Sequence, residues 1–196
     1  MNACRLCYLT FLTATACSAA PEIHYYTLSA ESATERVPIN AGSGAYVIDA
    51  IAIPDLLDRP QIVLRSGPNR VDVLDYNRWA APLPSLLQRV LAADLALRLE
   101  AGAIIDPGLP PPAHAAGRVT ISIVEFNAGQ DGQSVLDASW TISDGEVTPI
   151  RGNLTTHRAR HVASTNVADV AEMVATMNSL LPALADDIAA TLARQE

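Results

Sequence analysis

Residues 118–143 read RVTISIVEFNAGQDGQSVLDASWTIS. Alternation of apolar and polar residues at a period of two marks half-buried strands. Val119, Ile121 and Ile123 share one side of the first strand, over residues 118–127, with Val124 and Phe126 assigned to the other. The run Gly129-Gln130-Asp131-Gly132 supplies the turn. In the return strand, residues 135–143, Leu136, Ala138, Trp140 and Ile142 face inward, and Asp137, Ser139 and Thr141 face out. An antiparallel pair with one apolar face needs a cover, so this hairpin calls for helices packed on that face.

Beyond it, Ser143-Asp144-Gly145-Glu146 is a second turn and residues 147–160 form a polar strand suited to a sheet edge. Asn166 and Asp169 then give a capping residue and an acidic first turn, after which Val170, Val174, Met177, Leu181, Leu184, Ile188 and Leu192 recur every three or four residues. This is a long amphipathic helix, and Pro182 predicts a kink or split near Ser179. On the N-terminal side, residues 102–117 form a loop stiffened by Pro107 and Pro110-Pro111-Pro112. It follows a helix opened by Pro82 and Pro84 and continued by Leu83, Leu86, Leu87, Val90, Leu91, Leu95, Leu97 and Leu99 to about Ala101. Those leucines cover more than one face, so this helix needs the sheet and a second contact, either the C-terminal helix or a neighbouring subunit.

Further back, residues 61–65 and 71–76 are strands joined by the turn Ser66-Gly67-Pro68-Asn69. Residues 45–53 are apolar on both alternate sets, the pattern of a central strand covered on two faces. A short first strand occupies residues 25–28. The result is an α/β fold, a single-domain sandwich with a mixed, largely antiparallel sheet and two main helices packed on it. The 196 residues and 49% apolar content are enough for one such core. Thirteen basic against 21 acidic residues give a net charge of −8, and every basic residue is an arginine. That balance argues against nucleic acid, whose phosphates need a basic surface.

The N-terminus reads as an address. Residues 1–16 carry Arg5, no acid and an apolar run from Leu6, too short to cross a bilayer as a helix. They end in Ala14-Thr15-Ala16-Cys17, which resembles a bacterial lipobox with Ala14 in place of the usual Leu. In that reading residues 1–16 are a lipoprotein signal peptide, and Cys17 is lipidated as the new N-terminus. Residues 17–43 then hold the lipidated Cys, a tether and the short first strand, and residues 44–196 form the folded domain. Multiple acyl chains would hold the protein on a membrane without a spanning helix. The other reading is cleavage after Ala16 by a general signal peptidase, leaving a free thiol. Cys4 and Cys7 depart with the signal in either case, so the mature fold has no disulfide, and losing Arg5 takes the net charge from −8 to −9.

Chemistry is sparse. Without Lys there is no P-loop of the usual form, Gly42-Ser43-Gly44 is too short for a dinucleotide fingerprint, and no Gly-x-Ser-x-Gly elbow occurs. His157 and His161 would pair on a helix, but four residues along a strand span roughly 13 Å, too far for one ion. His24 and His114 lie in loops without ligand clusters, and Asp186-Asp187 belongs to the wet face of the last helix. Asp49, on the expected central strand, is the one carboxylate expected to be buried, paired with an arginine. Trp79 and Trp140 read as core residues. No catalytic residue, metal or cofactor is expected beyond the lipid on Cys17, and a periplasmic hydrolase would have to show an activity that fails on mutation of Asp49 or His157.

Leu57-Asp58-Arg59-Pro60-Gln61-Ile62-Val63, followed by Arg78-Trp79-Ala80 and Pro82-Leu83, resembles the signature of the ABC-type transport auxiliary lipoproteins, the PqiC-like family. Tyr25-Tyr26-Thr27-Leu28 just after the lipobox also fits, and the likeness runs from Tyr25 to Leu192. The resemblance makes residues 44–196 an ABC-transport auxiliary lipoprotein domain. It implies a non-catalytic lipoprotein at the outer membrane, facing the periplasm, beside an ABC permease, its ATPase and an MCE-domain protein that move lipid between the two membranes and support envelope integrity. Leu57, Asp58, Arg59, Pro60, Arg78, Trp79, Pro82 and Leu83 become candidates for structural or partner-contact roles, and a homo-oligomer is an added expectation. An outer-membrane lipoprotein that activates a periplasmic cell-wall synthase is the competing reading.

Overall fold

The structure is a computed structural model that describes residues 21–32, 37–40, 44–110, 115–144 and 155–194. Cys17, His114, the turn after Asp144 and the first part of the expected polar strand lie outside them. Among the described residues the hairpin is β5 (Gly117–Gly129) against β6 (Gln133–Asp144), followed by β7 (His157–Ser164). The turn needs Gly132, whose φ of +77° would strain any other residue. Preceding elements are β1 (His24–Tyr26), β2 (Tyr46–Ile48), β3 (Gln61–Gly67), β4 (Arg70–Trp79) and α1 (Leu83–Ala96); α2 (Val170–Ser179) and α3 (Leu181–Leu192) close the chain.

The sheet runs β1-β4-β3-β5-β6-β7, with β2 beside β5 off this path. β3–β4, β5–β6 and β6–β7 pair antiparallel, while β1–β4, β2–β5 and β3–β5 pair parallel. The expected mixed, largely antiparallel sandwich is what forms. As Pro182 foretold, the C-terminal helix breaks between Ser179 and Leu181. The cap of α2 is Asp169 and not the expected Asn166: the Asp169 carboxylate accepts the Ala171 N–H at 2.8 Å, while Asn166 accepts from Ala168 in the turn before the helix. α1 meets its need for a second contact by packing on α3, and Leu86, Leu87, Leu91 and Leu95 are buried in the common core.

Three further expectations are corrected. The strand expected over residues 45–53 is only Tyr46–Ile48, and it lies off the main path because β3 and β2 share one edge of β5, at Ala128–Gly129 and Gly117–Val119 respectively. β2 closes on a glycine: a Cβ at Gly117 would meet the Tyr46 ring at 2.9 Å and the Ser143 carbonyl at 2.6 Å. The polar strand runs His157–Ser164, ending four residues beyond the expected Arg160, at the sheet edge as expected. Phe126, expected opposite Ile123, shares its side. Ile123 pairs with Ala138 and Glu125 with Asp137, so Val124 is an extra residue at a bulge. That one insertion flips the parity, placing Phe126 opposite Leu136 on the buried face and Val124 in solvent.

Candidate functional site

The two sequence runs singled out above meet at the start of α1. Residues 54–59 turn tightly, the Leu57 N–H donating to the Pro54 carbonyl and the Arg59 N–H to the Leu57 carbonyl, both at 2.8 Å. Pro60 ends the turn, and its carbonyl accepts the Trp79 N–H at 2.7 Å. One residue on, the Ala80 N–H donates to the Tyr26 carbonyl at 2.7 Å, tying β1 to the same corner. Pro82 holds extended backbone at φ −51° and ψ 128°, and its carbonyl accepts from the Ser85 and Leu86 N–H groups, so it launches α1. Trp79 is buried and stacks on Phe126 with ring centres 6.4 Å apart.

A cleft of about 300 Å³ opens at this corner, lined by Asp58, Arg59, Pro60, Trp79, Ala81, Pro82 and Leu83. Six of the eight singled-out residues of the domain thus come together. Leu57 points into the core instead, and the Arg78 guanidinium turns back on its own strand, Nε donating to the Asp75 carbonyl at 3.2 Å. The cleft has an apolar floor of tryptophan, prolines and leucine, with Asp58 and Arg59 exposed around it. Its lining has no Ser, Thr, Cys, His or Lys side chain, and among the described residues no three His, Cys, Asp or Glu side chains gather to hold a metal. Such a cleft can receive an apolar side chain or an alkyl group and orient it by the charges beside it.

The outward face of the sheet carries a second cluster. Glu125 and Asp137 lie directly opposite each other, a pairing of like charges that destabilises a sheet unless it is neutralised. Arg65 from β3 and Arg160 from β7 bind Glu125, while Arg158 grips Asp137 with both Nε and Nη2, at 2.8 and 2.7 Å. The hydrogen-bonding fork of Arg158 holds the Asp137 carboxyl below the usual carboxylate range, against burial, which acts the other way. Its folded pKa being depressed, the pair's contribution is complete above the unfolded value of about 3.9 and is lost as pH falls through the lower folded value. Asp137→Asn is therefore expected to flatten the loss of stability below about pH 4, measured by urea unfolding at a series of pH values.

Asp49 finds the arginine expected of it, Arg118 at 2.5 Å, and also accepts from the Thr120 hydroxyl at 2.9 Å. It is only half-buried, because β2 ends at Ile48 and Asp49 reaches over the outward side of β5; among the described residues the buried acids are Asp94 and Asp137. His157 stacks on the buried Trp140, and His161 contacts Asp187 at 2.9 Å, so the two histidines serve separate contacts. Asp186 is drawn from the wet face into a contact with Arg98. That buried arginine was not singled out from sequence, although Asp94 and Arg98, one helical turn apart inside a leucine run, were visible there.

No helix among the described residues is long and apolar enough to cross a membrane. Residues 26–189 match the family model of the ABC-type transport auxiliary lipoprotein component. The intermembrane transport lipoproteins PqiC of Escherichia coli and Shigella flexneri are each 23% identical over 120 residues, 61% of this chain and 63% of theirs. The match thus spans less than two thirds of those relatives' length. Two crystal structures share the fold: an uncharacterised protein (TM-score 0.70, 18% identity, 88% of this chain and 99% of that one) and a Xanthomonas campestris protein (TM-score 0.67, 14% identity, 87% and 96%). With the family model covering most of the chain, and the motif residues gathered at one corner of the matching fold, the chain belongs to the ABC-type transport auxiliary lipoprotein family.

Proposed function

We propose that this chain is a non-catalytic, lipid-anchored subunit of an ABC/MCE-type lipid-transport system that links the inner and outer membranes and contributes to envelope integrity. It is held at the outer membrane by the lipid on Cys17 and faces the periplasm, where it docks an MCE-domain protein that works with an ABC permease and ATPase. The observation that carries this reading is the gathering of Asp58, Arg59, Pro60, Trp79, Pro82 and Leu83, from two separate sequence runs, around one cleft. An apolar floor with charged residues beside it suits partner docking rather than bond making. The relatives' description as intermembrane transport lipoproteins points the same way.

A pull-down of the full-length protein from detergent, with partners identified by mass spectrometry, tests it. The MCE-domain protein, permease and ATPase are expected with the native chain and reduced with Cys17→Ala. Arg59→Glu, at an exposed position of the cleft, is expected to weaken recovery while changing folding stability by no more than about 0.5 kcal/mol. Recovery of a cell-wall synthase in their place, or of no inner-membrane protein, would show that the family tie describes the fold and not the role.

A further inference from the structure

We infer that the sheet edge formed by β1 and β4 rests on the membrane surface, with Tyr25 and Tyr76 seated among the lipid headgroups. This rests on the lipid anchor at Cys17 proposed above. β1 and β4 run parallel with His24 opposite Asn77, Tyr25 opposite Arg78 and Tyr26 opposite Trp79. Strand alternation sends Tyr26 and Trp79 towards the core and puts Tyr25 and Arg78 on the opposite face, while Tyr76 lies in the irregular stretch of β4 where pairing with β3 passes from Arg78 directly to Leu74. Tyr25 is 64% and Tyr76 49% exposed, and Ile23, just before the strand, is also exposed. Ile23, Tyr25 and Tyr76 thus gather exposed apolar surface at one edge of the sheet, and such a grouping marks an interaction site where single exposed side chains would not.

Tyrosine is suited to one environment in particular. Its ring is apolar and its hydroxyl polar, which is why it collects at the boundary between hydrocarbon and water. Arginine beside it can send its alkyl stem along the rings and its charge to the phosphates. The length of the chain supplies the second argument. Ile23 stands six residues after Cys17, so the patch lies within about 22 Å of an acylated cysteine even with the tether fully stretched. β7, at the other end of the strand order, is five strand spacings away, on the order of 24 Å. The anchor thus holds this edge nearer the bilayer than the opposite one, and the seating of the tyrosines directs the Arg158 and Arg160 end of the sheet away from it.

The test uses the full-length lipidated protein on vesicles of phosphatidylethanolamine and phosphatidylglycerol that carry nitroxide-labelled headgroups. Cys4 and Cys7 leave with the signal and the Cys17 sulfur is alkylated, so an introduced cysteine is the single thiol for a fluorophore. Reporters go at Asp75→Cys, exposed beside Tyr76, and at Val162→Cys, exposed on β7. The full-length protein is expected to float with the vesicles and Cys17→Ala to stay behind. The reporter at 75 is expected to lose most of its emission and the reporter at 162 to keep it, and Tyr25→Ser with Tyr76→Ser is expected to restore much of the signal at 75. Flotation with equal quenching at both positions overturns the orientation and leaves the anchor intact; quenching at 75 that ignores the serine substitutions overturns the seating of the tyrosines. Failure of the full-length protein to float overturns the anchor and this placement together.

Discussion

Replacing Arg98 by Met is expected to destabilise the domain by about 3 kcal/mol, near the lower end of what breaking a buried ion pair costs. Arg98 is 2% exposed and lies just past the end of α1. Its guanidinium donates to Asp186 Oδ1 at 2.5 Å, to Glu31 Oε2 at 3.1 Å, and to the carbonyls of Asp94 and Pro182 at 2.7 and 3.0 Å. One side chain therefore joins the N-terminal segment, the end of α1 and the start of α3. Asp94, fully buried one turn earlier, accepts the Glu31 N–H at 2.7 Å and binds the same segment from below. Met matches the stem but leaves two carbonyls without this donor and two carboxylates without this cation. Because Glu31 and Asp186 retain access to water, the loss falls towards the low end. Urea unfolding should show the midpoint falling by roughly 1–2 M with an unchanged slope, while Glu31→Gln should cost less than about 1 kcal/mol as a partly exposed pair. A loss below about 1 kcal/mol for Arg98→Met would mean that water replaces the guanidinium and that the junction is not tight.

Phe126→Ala is expected to cost about 3–5 kcal/mol, whereas Val124→Ala, two residues away, should stay within about 0.5 kcal/mol. Phe126 is 1% exposed and is stacked on Trp79, and Val124 is 47% exposed. The contrast tests the bulge directly, since without it Val124 and Phe126 would lie together on the face opposite Ile123. It also tests the corner that carries the cleft. With Phe126 gone, Trp79 loses its stacking partner, and recovery of transport partners should drop along with stability. Thermal unfolding of the two variants beside the native chain decides the first point; comparable losses at both positions would contradict the register.

These two residues also divide what could be read in advance from what could not. The turn at Gly129–Gly132, the apolar face of Leu136, Ala138, Trp140 and Ile142, the start of the C-terminal helix near Asp169 and its break at Pro182 were all legible, because each depends on neighbours within a few residues in the chain. The motif runs 57–63 and 78–83 were legible as a family resemblance. That six of their residues would line one cleft was not, because it depends on a hydrogen bond from Trp79 to Pro60 across nineteen positions. Residues 45–53 misled for a related reason. Apolarity on both alternate sets says that a segment is covered, but it does not say whether sheet neighbours or loops and side chains do the covering.

The sequence by itself determined the β5–β6 hairpin and the two helical regions, which face of β6 and of the C-terminal helices is buried, and that the chain is acidic and lysine-free. Tertiary structure alone decided three things. It set the parity of Phe126, since a bulge is a disagreement between two strands and has no signature in either. It gave Arg98 its role, since a charge within a leucine run becomes a junction only when Glu31, Pro182 and Asp186 arrive from distant parts of the chain. It also made Glu125 and Asp137 compatible neighbours, since their repulsion is relieved by arginines that β3 and β7 bring from either side. Periodicity follows from local geometry, whereas pairing and charge compensation depend on which distant residues the fold makes adjacent.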